Sequence, residues 1–122
     1  MISINLDDKN FVLTVKGHAL EAEGPDHQLI CNSVSVLVQG LAYSLTKFEK
    51  DRDAMEGFDY RPEEGNLYLK IMPVAWAQAV VRKRMQIYGD ALEMLAICEP
   101  EYIRMTWNGE EIKPQKEEED NE

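Results

Sequence analysis

Residues 2–17 read ISINLDDKNFVLTVKG, and this stretch decides the fold class. Ile2, Ile4 and Leu6 alternate with Ser3, Asn5 and Asp7, the period-two pattern of a strand with one buried face. Asp8-Lys9-Asn10 is turn material, and Phe11-Val12-Leu13-Thr14-Val15 is aromatic and β-branched, the chemistry that fits a pleated surface. Together they predict a β-hairpin ending at Lys16-Gly17.

Outward from this hairpin, residues 18–30 show no period and carry Gly24-Pro25-Asp26, a turn signal. They predict a loop of a length that often carries function. Val34, Leu37, Val38, Leu41, Leu45 and Phe48 then recur at three and four, which predicts a helix over 32–47. Asp51-Arg52-Asp53 ends it. Residues 55–60 and 66–72 read as strands around a hairpin loop at 61–65. Pro73 is placed to open a second helix. Its expected face is Ala77, Val80, Val81, Tyr88, Ala91, Leu92 and Leu95. Gly89 inside it costs about 1 kcal/mol against Ala, so either a tight contact or a bend uses it. Glu99-Pro100 stops the helix, residues 102–107 alternate again, and Asn108-Gly109 is a turn pair. Trp76 and Trp107 are expected in the core or a dimer contact. The order β-β-α-β-β-α-β predicts an α+β fold, two helices packed on a mainly antiparallel sheet.

The chain has 122 residues and a net charge of −10, the size of one ordinary domain. From Glu110 to Glu122, seven acids and two lysines leave −5. From Lys113 onward no large apolar residue offsets ordering entropy. Residues 1–109 are therefore expected as the folded domain and 110–122 as a disordered acidic tail. The acidic balance argues against nucleic acid as a partner. No apolar run reaches the roughly 20 residues of a membrane helix, so no membrane partner is expected. The acidic, alternating start does not read as a signal peptide, and two cysteines make no disulfide framework, so a cytoplasmic chain is expected.

Two residues carry chemistry: His18, where a strand ends, and Cys31, where the first helix is expected to begin. Backbone N–H groups at a helix start are unpaired and the dipole is positive there, a place that stabilises thiolates. A thiol paired with an imidazole is an activated nucleophile. The N–H groups of Asn32 and Ser33 are placed to hold the oxyanion of an acyl intermediate. The bland reading stands beside this one: a lone Cys is a small buried hydrophobe and a loop His is solvated. His27 is read as a solvated loop residue, and Cys98 as a core residue at a helix end. Metal ligands are too few for a zinc site, and no cofactor motif is present. Arg82-Lys83-Arg84 reads as a solvated helix face, with reception of an acidic tail as the alternative.

Gly17-His18-Ala19, Gly24-Pro25-Asp26 and Cys31-Asn32-Ser33-Val34-Ser35 together resemble the ribosomal-processing cysteine protease Prp family. The resemblance spans most of residues 1–108. It implies a cysteine endopeptidase with His18 and Cys31 as catalytic dyad, supported by Gly17, Asp26 and Ser35. It also implies a homodimer, a loop over residues 19–30 that opens to admit an extended peptide, and an apolar or aromatic residue before the cleaved bond. The family's substrates are an N-terminal extension of a ribosomal protein or, for phage relatives, capsid or scaffold proteins. The family pattern has Asp three residues before the Cys; here that position is Gln28, and Asp26 lies two residues further out. The alternative function is a non-catalytic, dimeric protein-binding module on the same scaffold, with a vestigial site. Glu21, Glu23 and Asp26 bias the expected loop toward basic or neutral segments of a protein substrate.

Overall fold

The computed structural model describes residues 1–18, 25–63 and 65–113, with the backbone alone for 25–27. Strands β1 (Ile2–Asp7) and β2 (Val12–Gly17) form the expected hairpin, with Asp7 opposite Val12. Asp7 builds the turn: its Oδ1 accepts the N–H groups of Lys9 and Asn10, each at 3.1 Å, and its Oδ2 accepts the Asn10 side-chain amide at 2.7 Å. Helix α1 (Pro25–Glu49) is followed by β3 (Met55–Glu63) and β4 (Asn66–Pro73). A single 3-10 turn (Ala75–Ala77) leads into α2 (Gln78–Cys98), then β5 (Ile103–Trp107) and a short β6 (Glu110–Glu111).

The six strands form one sheet in the order β3-β4-β2-β1-β5-β6. Every pairing is antiparallel except β1 with β5. The connections β2-α1-β3 and β4-α2-β5 are crossovers between parallel strands. They start from antiparallel strands and run in opposite directions across the sheet. A right-handed crossover in each case lays both helices on the same face. That face is the core: Ile4, Leu13, Leu69 and Met105 from the sheet meet Val38 and Leu45 of α1 and Val81, Met85 and Leu92 of α2. The α+β expectation, with a mainly antiparallel sheet and two helices on it, is correct.

The structure departs from the sequence reading at several points, among them β3, which runs on to Glu63 through most of the expected loop at 61–65. Helix α1 begins at Pro25, inside the expected loop. Pro25 presets the helical φ and lacks the N–H that would be orphaned at a first helical position, so Gly24-Pro25 opens a helix here. Pro73 ends β4 rather than opening α2. The buried stripe of α2 is Val81, Met85, Gly89, Leu92 and Ala96, rotated from the expected face, and Val80 is left exposed. Gly89 lies on that stripe, where the missing β-carbon leaves room for Leu6 and Trp107. Finally, β6 lies in the segment assigned to the tail. Glu110 pairs with Trp107, and the Ile112 N–H donates to the Met105 carbonyl at 2.8 Å. The folded chain thus extends past residue 109.

Helix α1 is long and apolar enough over Gln28–Glu49 to pass for a bilayer span by composition. Its apolar stripe Ile30, Val34, Val38, Leu41, Leu45 is buried under the sheet, as in a core helix.

Candidate active site

His18 follows β2 directly, and its backbone is held from two sides. The Met1 nitrogen donates to the His18 carbonyl at 2.6 Å. The N–H of Gly17 donates to the Gly65 carbonyl at 2.9 Å, across from the tip of the β3–β4 hairpin. Cys31 is half-buried on α1, one turn before Ser35 on the same side of the helix.

A cavity of about 420 Å³ opens where the end of β2, helix α1 and the hairpin tip meet. His18 and Cys31 both line it, with Gly17, Asn32 and Ser35. Ser33 lies outside the lining. Ser33 is satisfied within the helix, its hydroxyl donating to the Leu29 carbonyl at 2.8 Å. Ser35 Oγ accepts from the Gln39 side-chain amide at 2.8 Å. Residues 19–24, within the expected loop, and the side chains of Asp26 and His27 lie outside the described residues.

The early start of α1 changes what the backbone offers. Cys31 sits in the second turn, and the N–H groups of Asn32 and Ser33 are in the helix body. In α-helical geometry they donate to the carbonyls of Gln28 and Leu29. The expectation that these two amides form an oxyanion hole is therefore not met by this helix, and the dipole effect fades beyond the first turn. Three residues with side-chain amides line the cavity, Gln28, Asn32 and Gln39, and Gln39 donates its amide to Ser35.

The hairpin tip was missed in the sequence. Pro62, Glu63, Gly65 and Leu67 close the cavity on the side facing His18. No local pattern links them to the His18 segment, because only the β2–β4 pairing brings Lys16 opposite Asn66. Glu63 is the one carboxylate among the described lining residues.

Elsewhere, Arg82 and Arg84 are engaged internally rather than standing on a free solvated face. Arg82 Nε donates to the Asp8 carbonyl at 3.1 Å, and its guanidinium lies 4.8 Å from the Phe11 ring. Arg84 donates to the Ser44 carbonyl at 3.0 Å and covers Phe48. Cys98 is exposed rather than packed in the core, since Ala96 takes the buried position at that end of α2. Trp76 is largely exposed, edge-on to Phe48 with centroids 6.2 Å apart, whereas Trp107 packs against the core.

The family profile described as cysteine protease Prp matches residues 1–104. No curated protein matches the chain. Among solved structures, the ribosomal processing protease Prp of S. aureus, in complex with a covalently linked product peptide, aligns with a TM-score of 0.64 at 17% identity. That alignment covers 88% of this chain and 99% of the other. The S. aureus protease with a substrate peptide gives 0.63 at 14% identity, covering 87% and 96%. SMU.848 from Streptococcus mutans gives 0.61 at 16%, covering 87% and 90%. With the profile matched over nearly the whole described fold, the chain belongs to the cysteine protease Prp family and is a protease.

Proposed function

We propose that the chain is a cytoplasmic cysteine endopeptidase that removes a short segment from a specific protein, using Cys31 as nucleophile and His18 as base. The observation that carries this reading is that both side chains line one cavity. His18 takes the Cys31 thiol proton as sulfur attacks the peptide carbonyl, and collapse of the tetrahedral adduct gives a thioester. In that collapse the His18 imidazolium gives its proton to the amine nitrogen as the C–N bond breaks, and water then hydrolyses the thioester with His18 again as base, releasing the acid and the Cys31 thiol. The oxyanion is received by the side-chain amides of Gln28 and Asn32, both of them residues that line the cavity. The backbone amides of Asn32 and Ser33 serve this role only if α1 unwinds back to Cys31. The substrate class is the N-terminal extension of a ribosomal protein, or a phage capsid or scaffold protein; the likeness to the S. aureus ribosomal processing protease favours the first.

The test is cleavage of a peptide library by wild type, Cys31→Ala, Cys31→Ser and His18→Ala. Only the wild type should turn over, with a mass shift of an acyl adduct on Cys31. Wild-type inactivity, or equal turnover by the variants, overturns the reading. The non-catalytic binding module is favoured by Gln28 standing where the family pattern has Asp. Iodoacetamide separates the two: a Cys31 activated by His18 is alkylated faster in the wild type than in His18→Ala, and a vestigial thiol is alkylated equally in both.

A homodimer is part of this proposal. Leu29, Val36 and Tyr43 of α1 are 65%, 64% and 68% exposed and recur every seven residues. Val80, Ile87 and Met94 repeat the same spacing on α2. Two apolar stripes at heptad spacing on adjacent helices suit a helical face packed against its own copy. Val36→Lys with Ile87→Lys should convert dimer to monomer in sedimentation; an unchanged mass would exclude this face.

A further inference from the structure

We propose that Gly65, at the tip of the β3–β4 hairpin, is a positioning residue for the His18 imidazole. The inference rests on the reading of His18 as the base of the site. A β-carbon on Gly65 would fall on the imidazole: it would overlap Nε2 and stand 3.1 Å from Cε1 and 3.3 Å from Cδ2. The ring edge therefore occupies the space that any other residue at 65 would fill. The backbone at Gly65 has φ +76°, so the hairpin turns through a conformation that L side chains rarely adopt. Its carbonyl also accepts the Gly17 N–H at 2.9 Å, which ties the tip to the residue before His18.

These contacts make the hairpin tip a wall for the base. One group, the Gly65 carbonyl, fixes the backbone that carries His18; the bare Cα of the same residue bounds the ring. The tip lines the same cavity as Cys31, so a ring displaced from this wall is displaced with respect to the thiol. Catalysis between two fixed groups is sensitive to such displacement, with a shift of about 1 Å costing up to about 100-fold in rate.

Gly109 supplies an internal control. It too has a positive φ, +87°, but a β-carbon there meets nothing within 4 Å. Gly109→Ala therefore carries the backbone strain without the collision. Gly65→Asn carries the collision with less strain, because Asn tolerates the left-handed region. All variants are compared in the full chain with Cys98→Ser, so that iodoacetamide reads Cys31 alone. Three quantities are followed: melting temperature, the imidazole NMR resonances of His18, and the pH profile of Cys31 alkylation. Gly65→Ala and Gly109→Ala should both melt a few degrees lower. Only Gly65→Ala and Gly65→Asn should move the His18 resonances and shift the alkylation profile toward that of His18→Ala. Unmoved His18 resonances in folded Gly65→Asn would overturn the proposal. If His18→Ala itself leaves alkylation unchanged, the dyad reading fails, and the resonances alone still decide whether Gly65 places the ring.

Discussion

Gly89 of α2 lies against the indole of Trp107, so close that a β-carbon would stand 2.8 Å from Cη2 and 2.5 Å from Cδ2 of Leu6. In an isolated helix, Ala would be better than Gly by about 1 kcal/mol. Here the added carbon meets two core side chains already packed on the sheet. Gly89→Ala should therefore destabilise the fold by about 1–3 kcal/mol, the cost of overpacking. Urea unfolding measures it, and a gain in stability would show that α2 can lift from the sheet freely.

Trp107 is held on its other side by a buried acid. Asp8 is 3% exposed; its Oδ2 accepts the Trp107 indole N–H at 3.0 Å and its Oδ1 the Asn108 side-chain amide at 3.0 Å. Asn108 Oδ1, of the same side-chain amide, accepts the Asp8 backbone N–H at 3.1 Å, closing a reciprocal pair between the first hairpin and the end of β5. Asp8→Ala removes the acceptor and strands both donors. A loss of about 1.5–3 kcal/mol is expected, read by unfolding with Trp107 fluorescence in a Trp76→Phe background.

The Asp7 carboxyl is held below its ordinary value, first by the hydrogen bond from the Asn10 side chain and further by the backbone N–H groups of Asn10 and Lys9. A carboxyl with a lowered folded pKa contributes stability above its unfolded pKa and loses it as pH falls through the folded value. The turn should therefore weaken in acid. Asn10→Ala should cost about 0.5–1 kcal/mol near neutral pH, the low end for a bond open to solvent. The difference from wild type should shrink toward zero once Asp7 is protonated; a gap constant from pH 7 to pH 2 would refute the assignment.

The end of the folded chain gives a fourth expectation. Strand β6 pairs with β5, and Ile112 packs against the core. Truncation after Gly109 should lower stability by about 1–3 kcal/mol, and truncation after Lys113 by less than about 0.5 kcal/mol. Equal thermal melts for the two truncations would show that β6 adds nothing.

Much of this protein was legible in local chemistry. Alternation placed β1, aromatic and β-branched residues placed β2, apolar spacing marked the buried stripe of α1, and the residues around His18 and Cys31 pointed to a thiol protease. These features depend on near neighbours: side chains two apart on a strand, three or four apart on a helix. The alternation of residues 102–107 likewise announced β5, but not that it pairs parallel to β1, because pairing is chosen by partners distant in sequence.

The rest needed tertiary structure for the same reason. Gly24-Pro25 has the chemistry of a turn and of a helix start alike, and only the packing of Ile30 and Val34 under the sheet lengthens α1 past Cys31. The close approach of α2 at Gly89 to Trp107 joins two segments far apart in sequence. The hairpin tip meets His18 because Lys16 pairs with Asn66, a register written in no single segment. The sequence by itself determined which residues carry the chemistry; the sheet's order decided what surrounds them, since strand pairing joins groups that chain proximity never brings together.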